Sequence, residues 1–553
     1  MTLDALLERW SQGWRGPALA AMIALFAGLP GLFAMPALDR DESRFAQATA
    51  QMLESGDFVV IRFQDAPRFK KPVGIHWLQA ASVAAVSNPA AREIWAYRIP
   101  SLLGAMLAAA ACAWGAAAFF GASAATLSGM ILGASQLLST EAFIAKTDAV
   151  LCGATTLAIA ALARIYAGRD GPWPPKRTQL LFWVGLSVAI LVKGPVAPLV
   201  IILTLAALCA WDRRCAWLGR LGTGWGLIIV AGVCGPWAWA ATVATDGVFW
   251  STAIAGDLAP KLLGGQETHG GPPGYHAALA PLLAFPATLL IPPALALAWR
   301  GRNDAGVRFA ICWLLPAWIF FELMPTKLAH YPLPLYPALA WLAAAALEEP
   351  IGAGARWCGA VLSALAGAAL AGACIYLTAT FGDPGVMVAA TLTAVLFGGA
   401  GIAGAVLLAR NHAGRGFALA LGLGVLGHAA LTALVVPNLH PLWLSHRVTE
   451  AMAAAKLLPR QGMASAPVEV AGYAEPSLVF ALGTPTGLGG AAEAAQAIAD
   501  GRPAVVEGRE LPGFNAALAS MGVQTREVGE VRGVNYSNGD ATALGIYVRK
   551  EPP

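Results

Sequence analysis

Asp41 and Glu42 stand together one turn before Arg44, and Arg68, Lys70 and Lys71 follow in the same polar segment. A carboxylate beside several cations suits a reaction in which a hydroxyl is deprotonated and a phosphate departs. The carboxylate serves as base, and the cations neutralise the charge that develops on the leaving group. The plainer reading is that Asp41 caps a helix. Capping does not account for Arg44 or for the cations at 68–71. The element that must position these groups is a helix over 39–57. Phe45, Ala48, Met52 and Leu53 fall at helical spacing, and Gly56 is a natural stop. That pattern predicts an amphipathic helix lying on the outer membrane surface.

The rest of the chain is apolar. Of 553 residues, 57% are hydrophobic and 12% charged, against roughly 25% charged in a soluble protein. Mean hydropathy is +0.62. The apolar residues form long blocks without strand-like alternation, so the fold class is an all-α polytopic membrane bundle and not a barrel. A net charge of +4 is too small to argue for nucleic acid. The eight cysteines lie in or beside apolar blocks, which argues against a disulfide framework or a thiolate metal site. Arg9 and Arg15 precede an apolar run reaching Leu38, read as a retained first helix rather than a cleaved leader.

Spans are expected near 18–37, 98–118, 122–138, 149–167, 179–193, 196–211, 221–243, 276–299, 309–324, 331–347, 357–379, 386–409 and 416–436, about 13 in all. One set of short loops holds Arg9, Arg15, Arg169, Lys176, Arg213, Arg300, Arg356 and Arg410, while the opposite set holds only Lys146, Lys193, Lys261 and Lys327. Basic residues favour the cytoplasm. The N-terminus is therefore expected inside, with the segments 38–97 and 244–275 and the tail 437–553 outside. The outside segment 38–97 is itself rich in arginine and lysine. Either it meets an anionic partner, or a long loop simply escapes the charge rule. Gly194-Pro195 breaks 179–211 into two arms and leaves Lys193 near the outer boundary, where a lysine is either functional or snorkelling. The tail reads as a small α/β domain ending in a hairpin at Asn538-Gly539.

A set of motifs in order carries a resemblance: Asp41-Glu-Ser-Arg44-Phe, Ser55-Gly-Asp-Phe58, Lys71-Pro-Val-Gly-Ile-His-Trp77, Thr147-Asp148, Lys193-Gly-Pro195, His269-Gly-Gly-Pro272, Lys327-Leu-Ala-His-Tyr331-Pro-Leu-Pro334 and Gly472-Tyr-Ala-Glu-Pro-Ser-Leu-Val-Phe480. The set resembles the bacterial aminoarabinose (lipid A) transferases, relatives of protein O-mannosyltransferases in the GT-C superfamily. The resemblance implies a GT-C membrane domain over 1–436, a periplasmic α/β domain over 437–553, and inner-membrane localisation. It implies inverting transfer of a sugar from a polyprenyl phosphate, with a lipid A or lipopolysaccharide-type acceptor. Asp41 matches the family's first-loop aspartate and Asp148 a second acidic position. Arg44 matches an arginine near the donor, Lys71 a lysine holding the lipid phosphate, and Tyr331 a pocket tyrosine. Lys193 and Lys327 join the donor set, with Glu42, Lys70, Lys261 and His269 as further candidates.

Three departures stand out. Lys70 replaces the family's glutamate, which helps bind zinc near the counterpart of His269. Phe45 stands where tyrosine is common, and Val73 where proline is. A cation beside a divalent ion repels it, so no metal is expected to be required. The alternative is that Asp41, Glu42 and Asp148 converge on Mg²⁺ or Mn²⁺. A monomer is expected. The rival functions are protein O-glycosylation by the same chemistry, a secondary transporter, or a non-enzymatic scaffold. A transporter would place its charges near the midplane.

Overall fold

The computed structural model describes residues 8, 10–260, 270–459 and 467–550. Among the described residues, eight helices are long and apolar enough to cross a membrane: Arg15–Ala34, Ile94–Ala116, Asp148–Ala167, Thr223–Ala244, Ala305–Leu323, Ala353–Phe381, Val386–Ala409 and Ala413–Asn438. Shorter apolar helices, Ala122–Gly133, Val196–Asp212, Ala287–Arg300 and Leu333–Ala346, lie between them. Every expected span falls on helix, with local differences. The segment 276–299 is broken into Tyr275–Leu283, a 3-10 turn at Ala287–Leu290 and Ile291–Arg300. Pro281, Pro286, Pro292 and Pro293 crowd this stretch, and proline removes a donor and crowds the preceding turn. Lys176–Lys193 and Val196–Asp212 meet at Gly194-Pro195, as the sequence indicates.

Small residues let the helices approach closely. A Cβ on Gly153 would lie 2.5 Å from the Gly104 carbonyl oxygen, so the Ile94–Ala116 and Asp148–Ala167 helices touch backbone to backbone there.

The first long loop holds a helix, Asp41–Ser55, closed by Gly56 in the left-handed conformation at φ +72°. Protein elements pack against it. Phe45 packs with Ile75, Val150 and Val192, Ala48 and Met52 with Phe69, Leu191 and Trp237, and Ala46 and Ala50 with Tyr97 and Phe480. The helix is wedged among protein elements on several sides, and an apolar stripe alone does not distinguish a lipid partner from a protein one. After it come a short hairpin, β1 (Arg62–Phe63) and β2 (Ala66–Pro67), and a second helix, Gly74–Val86.

The tail contains β3 (Glu469–Ala471), β4 (Gly487–Gly489), β5 (Ala504–Glu507), β6 (Thr525–Asn535) and β7 (Asp540–Arg549). They form one sheet in the order β4-β3-β5-β7-β6. β3 runs parallel to β4 and β5, and β7 runs antiparallel to β5 and β6. The tail clasps the back of the Asp41–Ser55 helix. Arg92 donates to Gln47 Oε1, to the Phe480 carbonyl at 3.0 Å and to Thr484 at 2.9 Å, and it pairs with Glu54. Gln47 donates to Thr484 at 2.9 Å, and the Asp39 N–H donates to the Tyr536 hydroxyl.

A buried ion pair fixes the helix from its other side. Arg98 Nε and Nη2 donate to the two Glu42 oxygens at 2.8 Å each, and neither side chain is solvent-accessible. Glu42 also accepts from the Leu38 N–H at 2.8 Å and the Ala145 N–H at 2.7 Å, while Arg98 donates to the Met35 and Pro36 carbonyls. With both partners saturated, removal of either leaves an uncompensated charge. Arg98→Met alone is expected to destabilise the protein by about 3–5 kcal/mol, and Glu42→Gln combined with it to recover part of the loss. Thermal unfolding of detergent-solubilised protein measures this, and an unchanged Tm for Arg98→Met would remove the pair from its structural role.

Candidate functional site

Asp41 is the first residue of the Asp41–Ser55 helix, and no side-chain hydrogen bond caps that end. The capping explanation for Asp41 therefore fails. The carboxylate is exposed yet surrounded by protein at longer range, as in an open recess. Burial alone would raise its pKa, but Lys71, Lys146, Arg68 and His330 together hold it below the ordinary carboxylate value. Arg68 lies 4.7 Å and Lys71 5.3 Å from the centroid of the Phe45 ring, so one ring carries two cations. Arg68 also feels the charge of Arg44 and of Asp257, from the second long loop. Arg44 is half-buried, and no side-chain hydrogen bond or ion pair engages it among the described residues.

A second cluster lies behind the first. Asp148, at the start of its helix, pairs with Lys193 and lies 3.8 Å from Lys146 and 3.7 Å from His330 Nε2. Lys146 reaches Glu141 at 2.9 Å, and His330 Nδ1 stands 3.5 Å from the Lys146 ammonium. Here carboxylates and ammonium groups largely cancel. Tyr331 closes this side, with the Lys193 ammonium 5.8 Å from its ring centroid.

The expected residues therefore separate. Asp41, Arg44 and Lys71 come together. Asp148, Lys193 and Tyr331 come together beside them, with Lys193 paired to Asp148. Glu42 is turned away into its pair with Arg98, because its side chain leaves the helix about 100° around the axis from Asp41. Lys327 is buried, with its ammonium donating to the Met324 carbonyl at 2.5 Å. Lys70 is exposed. Lys261 and His269 lie outside the described residues.

Glu141, Lys146 and His330 escaped the sequence reading as site residues, and Arg68 was noticed only as one of several cations. An acidic residue such as Glu141 beside a predicted span is a functional flag in itself.

The carboxylates do not suit a divalent ion. With Glu42 committed to Arg98, the set Asp41, Glu42 and Asp148 does not converge, and among the described residues no group of three His, Cys, Asp or Glu side chains is placed to hold a metal.

The depressed Asp41 pKa has a consequence for pH. A carboxyl whose pKa falls on folding contributes stability above its unfolded value near ~4, and loses it as pH drops through the lower folded value. Asp41 thus stays ionised from pH 5 to 8. The profile of kcat/KM is expected to show no acid limb from Asp41 in that range, so wild type and Asp41→Glu should share its shape. A limb near pH 6 present in wild type and displaced in Asp41→Glu would contradict the assignment.

Residues 17–245 match the family model of dolichyl-phosphate-mannose-protein mannosyltransferases. The undecaprenyl phosphate-alpha-4-amino-4-deoxy-L-arabinose arabinosyl transferase 2 of Pseudomonas fluorescens is 27% identical over 361 residues, 64% of this chain and 59% of the relative. A Pseudomonas aeruginosa transferase of the same description is 30% identical over 316 residues, 56% of this chain and 55% of the relative. The matches thus span little more than half the length of these curated relatives. In fold the agreement is longer. The crystal structure of ArnT from Cupriavidus metallidurans in the apo state superposes with a TM-score of 0.74, covering 96% of this chain and 97% of that one at 20% identity. The same protein bound to undecaprenyl phosphate matches equally well, at 19% identity. Over residues 17–245 the chain is similar in sequence to the dolichyl-phosphate-mannose-protein mannosyltransferases, and over nearly its whole length it shares the fold of ArnT.

Proposed function

We propose that this protein transfers a glycosyl group from a polyprenyl phosphate to an acceptor of lipid A or lipopolysaccharide type, with inversion, at the periplasmic face of the inner membrane. One observation carries the reading. Arg68 and Lys71 lie within charge range of Asp41, Arg44 lies within charge range of Arg68, and lysines 146 and 193 pair with Glu141 and Asp148 in the cluster behind. This gathering of cations suits a phosphate, and the carboxylate suits the acceptor. The names of the relatives point the same way, and the positive short loops orient the tail outward.

In this reading the acceptor oxygen attacks the anomeric carbon from the face opposite the phosphate. The bond from that carbon to the phosphate oxygen breaks, and its electron pair leaves on the phosphate. Arg44 and Lys71 neutralise the charge that accumulates there. A carboxylate held below its ordinary pKa is a weak base, since general-base catalysis favours a pKa near the working pH. Asp41 therefore orients the acceptor or the donor sugar more than it removes a proton. An already ionised lipid phosphate acceptor needs no strong base. A protein hydroxyl, the second acceptor class, does.

Two measurements test this reading. Asp41→Asn is expected to fold and to bind undecaprenyl phosphate like wild type while turnover falls ~10²–10⁴-fold; wild-type turnover in that variant would sink the role. The purified protein is also expected to keep its activity in EDTA, because Lys70 adds positive charge where the family carries a ligand. Activity lost to the chelator and restored by one divalent cation would overturn the metal-free reading.

A further inference from the structure

The backbone that carries Lys146 is pinned at successive residues. The Ser101 hydroxyl donates to the Ile144 carbonyl at 2.7 Å, the Ala145 N–H donates to Glu42 at 2.7 Å, and the Lys146 N–H donates to the Ile144 carbonyl at 2.8 Å. The Lys146 side chain is 10% exposed, and its ammonium lies 2.9 Å from Glu141 Oε1, 3.8 Å from Asp148 and 3.5 Å from His330 Nδ1. Its charge also reaches Asp41, so Lys146 belongs both to the buried cluster and to the surroundings of the Asp41 recess. Tyr331 lies within charge range of Asp41, Asp148 and Lys146, and its half-buried side chain makes no hydrogen bond among the described residues.

The charges of this cluster are matched from within. Lys193 pairs with Asp148 and Lys146 with Glu141. Burial, with Lys146, Lys193 and Lys71, holds the His330 pKa well below its ordinary value in spite of Asp148, so this ring is neutral. Burial and Asp148 raise the Glu141 pKa to about 7 against the pull of Lys146 and Lys193. A carboxyl that is paired, or that holds its proton, has little to offer a further cation. An ammonium brought here on a substrate would meet Lys146 and Lys193 and carboxyls already matched.

Hydrogen bonding points the same way. A lysine ammonium has three donors and no acceptor, and a hydroxyl has both. Lys146 uses one N–H on Glu141 and has others to donate. A hydroxyl can accept one and still donate to neutral His330 or to the Tyr331 oxygen, whereas a second ammonium cannot accept at all. Glu141 Oε2, buried and without a hydrogen-bond partner among the described residues, is a further acceptor at this place.

We propose that Lys146, paired with Glu141, occupies the place that the ammonium of an amino sugar would need, and that the protein therefore transfers a neutral, hydroxyl-bearing sugar. The inference rests on the donor reading above, in which the glycosyl carrier is a polyprenyl phosphate. Lys146 is then a specificity-determining residue that donates to a sugar hydroxyl, and Glu141 is the positioning residue that holds its ammonium.

The test uses full-length protein in detergent, with tryptophan fluorescence reading the binding of undecaprenyl phosphate and of its glycosides. The glycosides carry L-arabinose or 4-amino-4-deoxy-L-arabinose, the sugar for which the matched Pseudomonas transferases are named. D-Glucose and D-glucosamine carriers repeat the comparison on a second ring. Wild type is expected to bind each neutral carrier ~10–100-fold more tightly than its amino counterpart, the range for a hydrogen bond to a charged group. Lys146→Met leaves Glu141 without its cation and should lose that preference or reverse it. Lys146→Met combined with Glu141→Gln removes both groups and should show no preference, and it decides the matter where melting shows the single variant unfolded. Wild type that binds an amino carrier as tightly as its neutral counterpart, or a folded variant that keeps the wild-type preference, overturns the inference, while binding of undecaprenyl phosphate leaves the transferase reading standing. Folded wild type that binds none of these ligands overturns the transferase reading, and the inference with it.

Discussion

The arrangement depends on the Glu42–Arg98 ion pair. Each Glu42 oxygen accepts from Arg98, and the remaining capacity of both groups is taken by the backbone at 35–38 and at Ala145. Two ions out of water are stable only when every donor and acceptor is met in this way. The pair joins the end of the first span, the helix that begins at Asp41, the span that starts at Ile94, and the segment leading to Asp148. It thereby fixes where Asp41 stands relative to both clusters of charge. It also explains why two adjacent carboxylates have separate fates. Helix geometry sends Asp41 and Glu42 to different faces, so one is buried as a structural anchor and the other is left facing the cations.

From that anchor follows the division of the positive charges. Lys146 and Lys193 lie deep and are matched by Glu141 and Asp148, as buried ions must be. Arg92 is used to hold the tail. Arg44, Arg68 and Lys71 remain at the open side, with Phe45 beneath two of them. The tail clasps the Asp41–Ser55 helix through the contacts of Phe480 and Thr484 with Arg92 and Gln47.

Much of this was legible in the sequence. Long apolar blocks gave the spans, because membrane helices must satisfy their backbone internally, and Gly194-Pro195 and Asn538-Gly539 marked their turns. Asp41, Arg44 and Lys71 were legible as a group because polar residues share one loop. Glu42 was not. A carboxylate beside another carries no mark of which way it points, and its partner Arg98 lies within an apparently ordinary span. The amphipathic stripe was legible as a stripe, but its protein partners were not, because Phe480 and Tyr97 are too far along the chain to be linked by pattern. The proline-rich 276–299 was read as one helix, although Pro281 and Pro286 signalled the break. His330 sat inside a motif without a role, since its partners Glu141, Lys146 and Asp148 meet it only in three dimensions.

The division of charges is the central claim, and the position of the phosphate in a structure with undecaprenyl phosphate bound tests it most directly. The account predicts the phosphorus atom beside Arg44, Arg68 and Lys71, with Lys193 still paired to Asp148. A phosphate seated between Lys146 and Lys193, with the Asp148 pair broken and Arg68 turned away, would contradict it.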